Sequence, residues 1–271
     1  QIPLDVSKKV SKLWEGRSAV LLSATLTDLT TGDFSYVTTS LGFPNEHQTL
    51  KTASPFTFAT QQRVYITPAD RPIVDTVERA QYSFEELVDL INAATGRTLL
   101  LFTARAEMDD CVERLRDLQS AGGFPWPLLV QEPGIDKQEL IDSFKTDTHS
   151  VLVGSKSFFT GIDIPGEALS LVVLAKFPLP KFDVLCRRQI EHWRKRKFPK
   201  WYEREALQVF AQSAGRLIRT SGDHGVVAIL DQRVTRAGEN VFKTAKLGVD
   251  ALGSGVIRST EDVRKFLADR S

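Results

Sequence analysis

Apolar residues follow two alternating rhythms along this chain. Short runs rich in Val, Leu and Ile, at Ser18 to Leu22, Thr98 to Phe102, Ser150 to Val153, Leu169 to Leu174 and Gly225 to Leu230, read as core strands. Longer amphipathic segments lie between and beyond them, at Ser83 to Ala94, Ala106 to Gln119, Asp136 to Phe144, Phe182 to Arg196, Tyr202 to Ile218 and Thr260 to Ala268, and these predict helices. Ser83 followed by Glu86 has the spacing of a capping box at a helix start. Strands joined by helical crossovers predict an α/β fold with a mainly parallel sheet and helices on both faces. Gly248, Gly253 and Gly255 predict a loop in the tail from Gly238 to Ser271, ahead of the final helix.

Composition narrows the classes. The chain has 271 residues, 42% hydrophobic and 25% charged, enough for one large core or two small ones. A net charge of +1 excludes a uniformly basic nucleic-acid binder, so any such surface must come from local clustering. No apolar run is long enough to span a bilayer and no secretory pattern is present, which places the expected location in the cytoplasm. Cys111 and Cys186 form no C-x-x-C pair, and His47, His149, His192 and His224 lack ligand spacing, so no metal is expected in this chain. The chain opens on Gln1 and its one methionine, Met108, lies inside a predicted helix, so a piece of a longer polypeptide is expected.

Chemistry concentrates in a few segments. Leu207, Phe210, Ala211, Ala214, Leu217 and Ile218 share one helical stripe, which puts Gln212, Arg216 and Arg219 together on the opposite face. Two guanidiniums one turn apart, with Gly215 allowing close approach, suit a polyphosphate; a solvated helix face has the same pattern. Gly161, Pro165 and Gly166 bracket Asp163 in a stretch that cannot be regular helix, where a tight turn can aim a carboxylate. Ser23 and Thr25 follow a strand run with two hydroxyls that either bond phosphate or cap a helix, and Thr103 and Arg105 follow another run. Residues placed after strands gather at the carboxyl edge of an open α/β sheet, where such folds bind ligands.

The densest basic cluster comprises Arg187, Arg188, Trp193, Arg194, Lys195, Arg196, Lys197, Lys200, Trp201 and Tyr202. Cations interleaved with rings suit single strands, because charges follow phosphates while rings stack on bases; the alternative packs Trp193 and Trp201 in the core. No G-x-x-x-x-G-K-[ST] loop and no D-E-A-H-like acidic pair occurs, so the isolated chain is expected not to hydrolyse ATP.

The pattern Q-x-x-G-R-x-x-R from Gln212 to Arg219, followed by Leu230-Asp231-x-Arg233, resembles the sixth motif of superfamily 2 helicases, in the DinG/XPD branch. Ser23-Ala24-Thr25-Leu26 resembles the third motif, Leu100 to Thr103 the fourth and Gly154 to Gly166 the fifth, while Ser54-Pro55-Phe56 also fits the branch. The resemblance implies a second RecA-like motor domain over residues 1–271, with a core of about 18–236, a basic and aromatic insertion at 182–205 and a C-terminal extension at 237–271. It also implies ATP and Mg2+ shared with a first RecA-like domain of the same polypeptide, which would carry any iron-sulfur cluster. Arg219 would be the arginine finger, with Arg216 beside it and Gln212 positioning the nucleotide. Asp163 would meet the ribose, while Gly161 and Gly215 admit the nucleotide closely.

Single-stranded DNA would meet Thr25, Thr103, Arg105 and the basic cluster. A monomeric motor moving 5′ to 3′ is implied. Thr160 departs from the acidic or amide residue common before this glycine, and Asp231 with Arg233 reads as a structural pair. Two alternatives remain: a non-catalytic module that binds single strands or protein, and a motor joined to a nuclease or CRISPR-associated domain.

Overall fold

Burial on both faces dictates the centre of the sheet. The computed structural model describes residues 3–69, 77–159, 164 and 166–269. Its strands are β1 (Gln62–Ile66), β2 (Thr98–Leu101), β3 (Leu128–Val130), β4 (Val151–Gly154), β5 (Leu171–Leu174), β6 (Gly225–Ile229) and β7 (Gly255–Ile257), in the order β3-β4-β2-β5-β6-β1-β7. Every pairing is parallel. Each residue of β2, β4, β5 and β6 is buried, as strands covered by helices on both faces must be. Leu101 lies opposite both Gly154 and Leu174, and Leu174 opposite Ile229, so the carboxyl ends of these strands are level.

The described helices are α1 (Ser7–Val10), α2 (Ser35–Ser40), α3 (Phe58–Gln61), α4 (Val77–Ala93), α5 (Arg105–Ser120), α6 (Lys137–Thr146), α7 (Val184–Lys195), α8 (Trp201–Ala214), α9 (Asn240–Leu252) and α10 (Thr260–Ala268). None of these is long and apolar enough to cross a membrane. The chain divides into two compact units, Gln1–Pro55 with Leu179–Ala211, and Phe56–Pro178 with Gln212–Ser271. The second holds the sheet.

Four expectations from the sequence are corrected. Ser18 to Leu22 forms no strand: Val20 is 81% and Leu22 88% exposed, because apolarity invites burial but pairing needs a neighbouring strand. The third-motif residues therefore do not sit at a strand end. Helix α4 already includes Val77, so Ser83 is no helix start; buried Glu86 instead accepts hydrogen bonds from the Tyr65 hydroxyl at 2.5 Å and from Thr67 Oγ1 at 2.9 Å. The glycine-rich tail forms helix α9, in which Gly248 is buried beside Thr244, Ala245 and Val249, and Gly253 ends it in the left-handed conformation at φ 66°. Helix α8 stops at Ala214 rather than at Ile218.

The first unit packs around Cys186, Trp193 and Trp201, joined by Tyr36, Ile190, Phe198 and Tyr202. At its centre Arg204 pairs with Asp28 at 2.6 Å, with side chains 4% and 1% exposed, and the guanidinium lies 3.8 Å from the centroid of the Tyr36 ring. Asp28 also accepts from the Thr30 amide and hydroxyl, both at 2.7 Å. Burial pushes the Asp28 carboxyl up, but the hydrogen bonds from Arg204 and Thr30 outweigh it and hold the group below its ordinary value. Removing one partner strands a buried charge, so Asp28→Ala is expected to cost about 3 to 5 kcal/mol in urea unfolding. Because the folded value is depressed, the contribution is present above the unfolded pKa of about 3.9 and is lost as pH falls through the folded value. The wild-type melting temperature is therefore expected to fall more steeply below about pH 4 than that of Asp28→Asn.

Candidate nucleotide and nucleic-acid site

The carboxyl edge of the sheet is organised by one glutamine. Gln131 follows β3, and its Oε1 accepts from the Ser155 amide at 2.8 Å and hydroxyl at 3.1 Å while its Nε2 donates to Ser157 Oγ at 2.9 Å. Arg105, opening α5 after β2, donates to the Gln131 carbonyl at 2.8 Å and pairs with Asp109 at 2.8 Å. Thr103 lies half-buried just ahead of it. Arg105 thus meets the segment that leaves β3, and Gln131 links it to Ser155 and Ser157 beyond β4. The last residue of β4 is Gly154, where a Cβ would lie 2.5 Å from Cγ of the buried Phe158 ring, closer than packing allows. Lys137 reaches over the same ring, 5.0 Å from its centroid, and donates to the Ser157 carbonyl at 2.5 Å. Burial, with the nearby Arg216 cation, pushes the Lys137 ammonium below its ordinary value. Gly161 and Asp163, like Thr160 and Pro165, lie outside the described residues.

The sixth motif takes a different form from the expected helical face. Gly215 follows the last helical residue, and the Ala214 carbonyl accepts from Gln62 Nε2 at 3.1 Å and from the Leu217 amide at 3.2 Å, which closes the chain into a turn. Gln212 therefore remains on α8, while Arg216 lies in the turn and Arg219 in the bend beyond. Arg216 is 7% exposed and donates from Nη2 to the Phe159 carbonyl at 3.1 Å, tying the turn to the segment leaving β4. Arg219 is half-buried; its amide and that of Thr220 donate to Asp223 Oδ2 at 2.8 and 2.7 Å. Gln61 Nε2 donates to the carbonyls of Thr220, Ser221 and Asp223 at 3.1, 3.2 and 2.9 Å. Burial lowers the pKa of both guanidiniums, with Asp223 opposing the shift at Arg219.

Gln62 and Gly225 pair as the first residues of β1 and β6, so this turn stands at the amino edge of the sheet, opposite Thr103 and Ser155. Gln61, Gln62, Gln131, Lys137 and Asp223 carry no motif signature; only their positions beside strand ends could have pointed to them. Asp231 and Arg233 pair at 2.6 Å, and Asp231 also accepts from the Phe177 amide at 3.1 Å, a structural role as expected.

In the first unit the basic cluster splits. Cys186, Ile190 and Trp193 face inward from α7, and Trp193 is 5% exposed, with Tyr36 at 4.9 Å and Phe198 at 6.0 Å between ring centroids. Its ring has no open face, so the expected stacking of bases on Trp193 is withdrawn. Trp201 is 9% exposed and donates to the Tyr36 hydroxyl at 3.1 Å. Arg196 pairs with Asp5 at 2.5 Å and Lys195 with Glu191 at 2.8 Å, whereas Arg187, Arg188, Arg194 and Lys197 are exposed. Thr25 sits in a loop with its hydroxyl 3.3 Å from that of Ser23. Among the described residues no group of three or more His, Cys, Asp or Glu is placed to hold a metal ion.

Residues 87–244 match the family model described as the helicase C-terminal domain. The ATP-dependent helicase DinG of Mycobacterium tuberculosis is 32% identical over 253 residues, covering 90% of this chain and 37% of the relative. The 3′-5′ exonuclease DinG of Bacillus subtilis is 31% identical over 256 residues, covering 90% of this chain and 26% of the relative. The chain thus spans only these fractions of its curated relatives' lengths. Dbp5 of S. cerevisiae bound to RNA and ADP BeF3 aligns over 94% of this chain and 55% of that chain at 17% identity and a TM-score of 0.57, a likeness of fold alone. With the family model spanning more than half of the residues, and the motifs in order on an all-parallel RecA-like sheet, the chain belongs to the helicase C-terminal domain family, of the DinG/XPD type.

Proposed function

We propose that this chain is the second motor domain of an ATP-dependent helicase that translocates on single-stranded DNA in the cytoplasm as a monomer. The observation that carries this reading is the hydrogen-bonded turn bearing Arg216 and Arg219. Its carbonyls are collected by Gln61, its helix end is closed by Gln62, and its amides are held by Asp223. Such a framework presents cations in fixed positions, and a partly desolvated guanidinium interacts with a polyphosphate far more strongly than a solvated one does. The donor set therefore fits a nucleotide phosphate.

ATP and Mg2+ would be shared with a first RecA-like domain of the same polypeptide, which supplies the phosphate loop and the magnesium ligands; any iron-sulfur cluster belongs there too. Arg219 is the arginine finger, steadying negative charge on the transferred phosphoryl group, a contribution of roughly 10³ to 10⁵ in rate. Arg216, whose Nη2 donates to the Phe159 carbonyl, stands beside Arg219 as the second cation toward the nucleotide. Gln212 contacts the nucleotide from the last turn of α8, and Asp163, with the backbone at Gly161 and Gly215, completes its edge. Thr25, Thr103, Arg105 and the exposed cations Arg187, Arg188, Arg194 and Lys197 follow the DNA backbone. The isolated chain hydrolyses no ATP.

ATP turnover by the full-length protein, measured with and without single-stranded DNA, tests this reading. DNA is expected to stimulate the wild type, and Arg219→Ala to lower kcat by about 10³ or more with an unchanged far-UV spectrum. Absence of DNA-stimulated turnover in the wild type would overturn the motor assignment, and an active Arg219→Ala enzyme would overturn the choice of finger. Gln61→Leu removes the amide that gathers the turn, so kcat is expected to fall about 10- to 100-fold with a smaller change in KM, because a misplaced finger weakens the transition state more than the ground state.

A further inference from the structure

One aromatic ring in the first unit faces outward. Phe182 is 59% exposed, and it is the one exposed ring among the described aromatic residues. Its surroundings are fixed rather than loose. The ring meets Tyr202 edge-on, 6.0 Å between centroids at 89°, and the Tyr202 hydroxyl donates to the Pro180 carbonyl at 3.1 Å. The next residue, Asp183, caps α7 by accepting from the Cys186 amide at 2.9 Å, while its own amide donates to the Lys181 carbonyl at 3.0 Å. A ring held this way loses little conformational freedom when something lands on it.

Cations outnumber acids around Phe182. Arg187 places its guanidinium 5.2 Å from the ring centroid, and Lys181, Arg187 and Arg188 are all exposed. Among the described residues neither Arg187 nor Arg188 pairs with a carboxylate, and the nearest acid in sequence, Asp183, is engaged as the helix cap. Farther along α7, by contrast, Lys195 and Arg196 are neutralised by Glu191 and Asp5, and Trp193 is buried. The start of α7 is thus where an open ring and uncompensated cations coincide, with the exposed Val184 and Leu185 beside them.

We infer that Phe182 is a base-stacking residue for single-stranded DNA, with Lys181, Arg187 and Arg188 as its phosphate contacts. The inference rests on the DNA-translocating reading above and adds to it a residue that no motif marks. A base stacks on a fixed aromatic face whatever its identity, and cations spaced along the helix track the phosphates, so the site binds without sequence preference. Uncompensated positive charge around the apolar ring selects a polyanion over an apolar protein surface.

The test uses the full-length protein and fluorescence anisotropy with an oligothymidine and with an abasic strand of equal length. Phe182→Ala is expected to weaken oligothymidine binding about 5- to 100-fold, with the dependence of log K on log salt unchanged. Phe182→Trp should restore affinity, and Phe182→Leu, which keeps the apolar bulk without the π face, should not. On the abasic strand wild type and Phe182→Ala should bind alike. Arg187→Ala should instead lower the salt slope by about 1. Equal losses on both strands, rescue by leucine, or no loss at all would overturn the stacking assignment. DNA-stimulated ATP turnover measured in parallel separates the two ideas: stimulated turnover with affinity indifferent to Phe182 removes only this inference, and a wild type that binds no DNA removes both.

Discussion

An all-parallel sheet forces every connection to cross from one edge to the other, and that constraint arranges the whole second unit. Residues that follow strands collect at the carboxyl edge, where Thr103, Gln131, Ser155 and Asp231 stand beyond β2, β3, β4 and β6. Residues that precede or open strands collect at the amino edge, where Gln61 stands ahead of β1, Gln62 opens it, and the turn of Arg216 and Arg219 stands ahead of β6. The two groups are joined by side chains at defined places. Arg216 reaches the Phe159 carbonyl of the segment leaving β4, and Phe158 of that segment is seated against Gly154. A displacement of this segment therefore has to be felt by the turn as well, because a buried guanidinium released from its acceptor bears a desolvation cost.

Burial divides the chain's cations into working and structural ones. Arg204 is enclosed with Asp28 beneath the Tyr36 ring, Arg196 is committed to Asp5, and Arg233 to Asp231. Each of these charges is matched by a carboxylate, and for Arg204 and Asp28, both buried, burial demands it. The cations at the start of α7 have no such match among the described residues.

Four of the core strands were legible in the sequence because their residues are buried without interruption, and an unbroken Val, Leu and Ile run has few other uses. Strand β1 was not, since Gln62 and Arg63 give it a polar opening: Gln62 is drawn inside by its bonds to the Ala214 carbonyl and to Ser254. Strands β3 and β7 are only three residues long, too short for periodicity to emerge. Helix α9 was hidden by Gly248, a glycine buried within the helix rather than one that reverses the chain. Ser18 to Leu22 failed in the opposite sense, for its composition is that of a strand while the described residues offer it no neighbour.

The site was legible as chemistry but not as geometry. The spacing of Gln212, Gly215, Arg216 and Arg219 marked the right residues, yet the inference of one helical face assumed that the helix continues past Gly215. Helix propensity alone cannot decide that point, because the terminating bond comes from Gln62, more than a hundred residues away in sequence. The same distance effect governs the basic cluster. Interleaved rings and cations specify an amphipathic helix, but which ring is inside depends on what the inner face meets, and here Tyr36 and Phe198 claim Trp193. Once Trp193 is buried, the periodicity of α7 leaves Val184, Arg187 and Arg188 on its open side, and the ring that joins them is Phe182, set just outside the helix against Tyr202 and the Arg187 guanidinium.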